Sequence, residues 1–337
     1  MLHEFHRPPD GLLHCSARDL HRVLPGPSLL HWPGPGPRLF VSVLLHGNED
    51  AGLQALQRFL MKHAPHDGDT LPRALTVLVG NVHAARSGVR HLPDQPDFNR
   101  IWSSHDAHVS AYHSMAAQVV ARMQHEHLFA VLDFHNNTGR NPLYACVSGG
   151  DRRHRQLATL FSPLVVKVDG LRSFSEAFSK LAPSICCECG EIGNQQGIEQ
   201  AARLIERCMT LTTEELNAVD DSALQVFEAY AEIHVPAQVR IGFSESHHDV
   251  DLCLSPNIDL MNFQPLPAGA VLAKVAANNV TSPLLVARNL DDGQALDVFV
   301  QSNDRIQFKE PTMAAMLTPS EAAIRQTCLG YLMRPVH

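Results

Sequence analysis

With 337 residues, 45% of them hydrophobic, the chain can bury one large domain and a smaller one. A formal charge of −8 argues against a nucleic-acid binder, which usually carries a basic stripe, and no apolar run approaches the roughly 18 residues of a membrane span. The N-terminus "MLHEFHRPPDGLLHC" lacks a secretory leader's order, and the eight cysteines are scattered, so the expectation is a cytoplasmic protein with reduced thiols.

Residues 23–37, "VLPGPSLLHWPGPGP", carry five prolines and read as a loop. "RLFVSVLLHG" (38–47) is a nearly unbroken apolar run, which predicts a strand covered on both faces. The leucines at 53, 56 and 60, with Phe59, predict a helix after it. "LTVLVGNVHAARSG" (75–88) reads as a strand running into a loop, 110–124 as a helix, and "LFAVLDFHNNTG" (128–139) as a further strand. "LYACVSG", "LVVKVDG" and "SICCECGEIG" predict short strands, and "GIEQAARLIERCMTLTTEELNAV" a helix. Strands alternating with helices predict an α/β domain with a parallel or mixed sheet over 1–237. From 238 to 337 long helical periodicity is missing and turn residues are frequent, which predicts a small β-rich domain. With twenty-one histidines, number alone singles out none; His3, His6, His63 and His66, among polar or Pro-rich neighbours, read as surface residues.

Three apolar runs end in chemistry. The first gives His46 and Glu49, the next Asp133 and His135, and "SICCECGEIGNQQG" gives Glu188. In open α/β sheets, ligands bind beyond the carboxyl ends of strands. A histidine and a carboxylate buried there need a partner, and a metal ion is one. His46, Glu49 and His135 form a two-histidine, one-carboxylate set of the kind that holds zinc with one position open. Gly47 is expected to permit a tight turn between ligands. Asp133 suits the orientation of a ligand histidine, with a strand-end aspartate held by backbone amides as the competing reading. Strand alternation puts Cys186 beside Glu188, with Cys187 and Cys189 on the opposite face, a pattern read as packing rather than a thiolate metal site. Glu191 is a rival carboxylate, read as a salt-bridge partner.

"HGNEDAG", "PDFNRIW", "LDFHNNTG" and "ECGEIGNQQG" resemble, in order, the motifs of the succinylglutamate desuccinylase and aspartoacylase family, a branch of the zinc carboxypeptidase group. The resemblance implies a carboxypeptidase-like mixed sheet flanked by helices, with one zinc per chain at His46, Glu49 and His135. It also implies Glu188 as general base, Asn99 and Arg100 as a carboxylate clamp, and Arg90 as an anion-binding and oxyanion-stabilising arginine. Aspartoacylase-like members use a further arginine shortly before the base. "SFSEAFSKLAPSICCE" offers only Lys180, with Arg172 upstream, which argues against strict N-acetylaspartate specificity. The leading expectation is a zinc amidohydrolase acting on an N-acyl amino acid. Carboxypeptidase action on short peptides and a non-catalytic metal-dependent binding protein are the alternatives, and the oligomeric state, homo-oligomer or monomer, stays open.

Overall fold

The computed structural model describes residues 1–64, 70–103, 106, 108–243, 250–275 and 283–336. These fall into two compact units, one of Met1–Asn136 with Leu143–Gln225, the other of Asn137–Pro142 with Val226–His337.

The first unit is a mixed sheet of eight strands: β1 (His3–Phe5), β2 (Ser28–Trp32), β3 (Arg38–Val43), β4 (Leu75–Val79), β5 (Leu128–Asn137), β6 (Tyr144–Val147), β7 (Leu164–Lys167) and β8 (Ser184–Glu191). Their spatial order is β1-β2-β4-β3-β5-β8-β6-β7. β3 runs parallel to both β4 and β5, whereas β2 is antiparallel to β4 and β6 antiparallel to β8. The helices are α1 (Ala51–His63), α2 (Val82–Ser87), α3 (Ala111–Gln124), α4 (Arg152–Thr159), α5 (Phe174–Phe178), α6 (Gln195–Thr210) and α7 (Thr213–Asn217). All ten residues of β5 are buried, as an apolar run covered on both faces requires. Behind β3, Phe40 packs against Phe174 and Phe178 with ring centroids 5.2 and 5.1 Å apart, and Trp102 meets Phe174 edge-on at 4.8 Å. Each such pair adds about 1 kcal/mol beyond the area it buries. α6 lies so close to β8 that a Cβ on Gly197 would sit 1.8 Å from the Cys189 carbonyl oxygen, so only glycine fits.

The second unit is β-rich. β9 (Gln225–His234) pairs antiparallel with both β14 (Val286–Asn289) and β19 (Gly330–Pro335), extended by β12 (Pro265–Leu266), β15 (Ala295–Leu296) and β18 (Thr312–Ala315). β10 (Ile241–Gly242), β11 (Leu252–Leu254), β13 (Val271–Val275), β16 (Phe299–Ser302) and β17 (Arg305–Phe308) form a separate sheet, and α8 (Glu321–Gln326) is the unit's α-helix among the described residues. Arg140 joins this unit through Asp259, 3.0 Å from its Nε.

The structure revises several local expectations. The Pro-rich stretch contains β2, because its prolines flank rather than interrupt Ser28–Trp32. The expected loop after β4 holds α2, capped by the Asn81 side chain accepting from Ala84 N–H and closed by Gly88 in the left-handed conformation. The long helix expected from 197 breaks after Thr210, where Thr212 opens α7 with a capping box. The division between units falls at 225/226 instead of 237/238, because β9 pairs with β14 and β19. Of the four histidines expected at the surface, His6 is exposed, His3 and His63 are half-buried, and His66 lies outside the described residues. Among the described residues no helix is long and apolar enough to cross a membrane.

Candidate active site

β3 ends at Val43, and Leu44 takes a left-handed backbone with φ 57°, a conformation that costs a non-glycine residue about 1–2 kcal/mol. The Leu44 carbonyl accepts from Asn81 N–H at 2.6 Å, which helps hold this turn toward His46. Gly47 is required for space rather than for its backbone angle: a Cβ there would lie 2.2 Å from Ala85 N. Glu49 follows just before α1. The N-cap residue of that helix, Asp50, makes no side-chain capping bond; Asn136 Oδ1 accepts from Ala51 N–H at 3.0 Å in its place.

His135, near the end of β5, faces this corner. The Nδ1 atoms of His46 and His135 are 3.1 Å apart, and each lies 2.9 Å from an oxygen of Glu49. All three side chains are buried. Each imidazole has a carboxylate at its other nitrogen: Asp97 Oδ1 lies 3.0 Å from His46 Nε2, and Asp133 Oδ2 lies 3.0 Å from His135 Nε2. A carboxylate at Nε2 favours the proton there and leaves Nδ1 with its lone pair. Two bare nitrogens and a carboxylate then converge on one point with no hydrogen donor between them, an arrangement that fits a divalent cation. Burial alone would lower the His135 pKa, but Asp133 and Glu49 outweigh it and hold the value well above the ordinary one. Burial would raise Glu49, and His46 and His135 outweigh that to keep it strongly acidic.

The segment between α2 and α3 supplies the neighbours. Asp97 accepts from Arg90 Nε and Nη2 at 3.1 and 2.8 Å and from Asn99 N–H at 2.8 Å. Against the effect of burial, His46 and Arg90 hold its pKa well below the usual range. Arg90 is therefore engaged with Asp97, while its Nη1 reaches Glu49 Oε1 at 3.5 Å. Asn99 is buried; its Oδ1 accepts from Phe174 N–H at 2.9 Å, and its Nδ2 lies 3.3 Å from His135 Nε2. Arg100 is half-buried, with Nη1 donating to the Asn99 carbonyl at 2.8 Å.

Glu188 lies on β8 opposite Tyr144 of β6. Burial pushes its carboxyl up to about 7 from 4.5, with Glu49 and Asp133 adding to the rise and His135 and His46 opposing it. Cys186, two residues away on the same strand face, places Sγ 3.7 Å from Glu188 Oε1. Glu191, read from sequence as a salt-bridge partner, is exposed at the strand end, and among the described residues no ion pair holds it. Lys180 is exposed, and Arg172 pairs with Asp106 at 2.9 Å.

Sequence reasoning passed over two residues. Asp97, inside "PDFNRIW", is the shared acceptor for His46, Arg90 and Asn99. Asn136 donates its backbone N–H to Glu49 Oε2 at 3.1 Å and its Nδ2 to the carbonyls of Gly190 and Glu191 at 3.0 and 3.3 Å. The signal available for each was its position within two residues of a candidate already chosen.

The chain matches the profile of the succinylglutamate desuccinylase/aspartoacylase catalytic domain over residues 35–212, just over half its length. No curated protein matches the sequence. Solved structures share the fold at low identity. Succinylglutamate desuccinylase from Chromobacterium violaceum aligns with a TM-score of 0.55 at 16% identity, covering 89% of this chain and 85% of that one. The Vibrio parahaemolyticus succinylglutamate desuccinylase gives 0.58 at 11%, covering 93% and 86%. A succinylglutamate desuccinylase/aspartoacylase from Rhodobacter sphaeroides gives 0.56 at 12%, covering 91% and 88%. The matched residues include His46, Glu49, His135 and Glu188, and the chain belongs to the succinylglutamate desuccinylase/aspartoacylase family.

Proposed function

We propose that this protein is a zinc-dependent amidohydrolase that releases the acyl group from an N-acyl amino acid. The observation that carries the reading is a buried carboxyl, Glu188, raised to about 7, in the field of a converging His46–Glu49–His135 donor set. A general base works best with a pKa near the operating pH, and this one has been brought there by burial. His46, Glu49 and His135 would hold one zinc per chain. When bound, zinc supplies Lewis acidity to the scissile carbonyl and to the attacking water.

The side chains do the rest. Glu188 takes the water proton during attack and returns it to the leaving nitrogen, so it must be ionised at the start of each cycle. Asp97 and Asp133 fix the imidazoles in the tautomer that leaves Nδ1 free. Arg90 Nη1 is the arm turned toward the donor set, adding positive charge where the carbonyl oxygen becomes negative, while its other nitrogens brace Asp97. Arg100, with a planar fork beside the buried Asn99, supplies the cation for a substrate carboxylate.

The test is hydrolysis by zinc-reconstituted protein of a panel of N-acetyl, N-succinyl and N-formyl amino acids with short peptides, products identified by mass. Release from an acyl amino acid, abolished in Glu188→Gln, is the expected result. C-terminal trimming of peptides would replace the deacylase with a carboxypeptidase. Silence across the panel from protein holding one zinc per chain would overturn the reading in favour of a binding protein.

A further inference from the structure

β6 and β8 pair in a register that sets Cys146 directly opposite Cys186. Glu188, two residues along β8, projects from the same strand face as Cys186, since side chains alternate. The two sulfurs and a Glu188 oxygen lie within 4.8 Å of one another. Cys186 and Glu188 are buried, whereas Cys146 is half-exposed, so the group has an open side. Among the described residues it is the one cluster of potential ligands with two cysteines. Cys187 and Cys189, by contrast, are buried on the other face, where Cys189 Sγ finds the Cys187 carbonyl. Two thiols and a carboxylate suit a borderline or soft cation such as zinc or cadmium better than calcium or magnesium.

We propose that Cys146, Cys186 and Glu188 form a second cation site, distinct from the His46–Glu49–His135 set, whose occupation by a thiophilic divalent ion removes Glu188 from catalysis. Each metal–sulfur bond replaces an S–H bond; the two thiol protons, and any proton still held by Glu188, leave to the buffer. The carboxylate oxygen that would accept the water proton is then coordinated. The inhibitory half of this proposal rests on Glu188 being the base; the binding half rests only on the cluster. Its physical consequence is a protein that needs one zinc equivalent and is shut down by the next thiophilic ion. The Cys146–Cys186–Glu188 group shares no residue with the His46–Glu49–His135 set, whereas Cys186 also lies within reach of His135 and Asp133, so the two sites are neighbours.

The experiment titrates cadmium into reduced protein already carrying one zinc, following the ultraviolet thiolate-to-cadmium charge-transfer band, proton release and turnover together. The expected result is a band saturating at one added equivalent, retained in Cys253→Ser, lost in Cys146→Ser, and accompanied by a roughly hundredfold or greater loss of turnover. Cys146→Ser should keep basal turnover and circular dichroism while escaping inhibition. No band, or a band that Cys146→Ser retains, overturns the site. A band lost in Cys146→Ser with turnover unchanged at saturation upholds the site and overturns its inhibitory effect. Turnover before cadmium is added reports separately on the deacylase reading.

Discussion

Replacing Glu188 by glutamine should abolish turnover and stabilise the metal-free protein. In the folded state the carboxyl is buried and raised from 4.5 to about 7. An acid with a raised folded-state pKa costs nothing while protonated in both states, below about pH 4.5. The cost grows as the unfolded chain ionises first, and it is complete above about pH 7. The gap converts to about 3 kcal/mol at 1.36 kcal/mol per pH unit, an upper bound because the glutamine amide must find its own partners. Glu188→Gln should therefore gain little stability at pH 5 and up to about 3 kcal/mol at pH 8. For a unit of this size that is on the order of 5–10 °C in Tm. The assay is thermal or urea unfolding of chelator-treated wild type and variant across pH 5–8, repeated with zinc present. A cation at the neighbouring histidines favours the ionised carboxylate, so zinc should shrink the gain. A gain over wild type no larger at pH 8 than at pH 5 would refute the assignment of burial as the dominant force on this group.

Three further outcomes follow from the geometry. Asp97→Asn should weaken zinc binding about 10–100-fold in a chelator competition, because His46 loses the carboxylate at its Nε2; unchanged affinity would remove Asp97 from that role. Apparent zinc affinity should rise roughly tenfold per pH unit near neutrality, because the proton that His135 retains must leave before its Nδ1 can bind; a flat profile in calorimetry would contradict the raised His135 pKa. Gly47→Ala should lose about 3 kcal/mol or more in urea unfolding, since its Cβ would meet Ala85 N and the Ala84 carbonyl carbon at 2.2 and 2.3 Å; tolerance would mean that the two segments can separate.

The residues that end buried strands were legible because period-two alternation and apolar runs specify both a strand and its exit. His46 and Glu49 after β3, His135 on β5 and Glu188 beside Cys186 on β8 all follow from that rule, and the structure brings the first three together. Asp97 follows from no periodicity. It sits in irregular chain, and its importance arises from His46, fifty-one residues away. β2 was obscured by its flanking prolines, although Ser28–Trp32 itself contains none. The unit boundary was hidden for a different reason. β9 alternates buried and half-buried residues as an ordinary strand does, but alternation says nothing about which strands it will pair with.

Asn136 ties together the two halves of the candidate site. Its backbone steadies Glu49, its Oδ1 receives the first N–H of α1, and its Nδ2 clasps the end of β8 just past Glu188. The His46–Glu49–His135 corner and the strand carrying Glu188 are thus gauged against each other by one carboxamide. On the proposed reading, holding an ion and aiming the base become separable properties: loss of this side chain would leave a protein that still binds a metal with the base out of range.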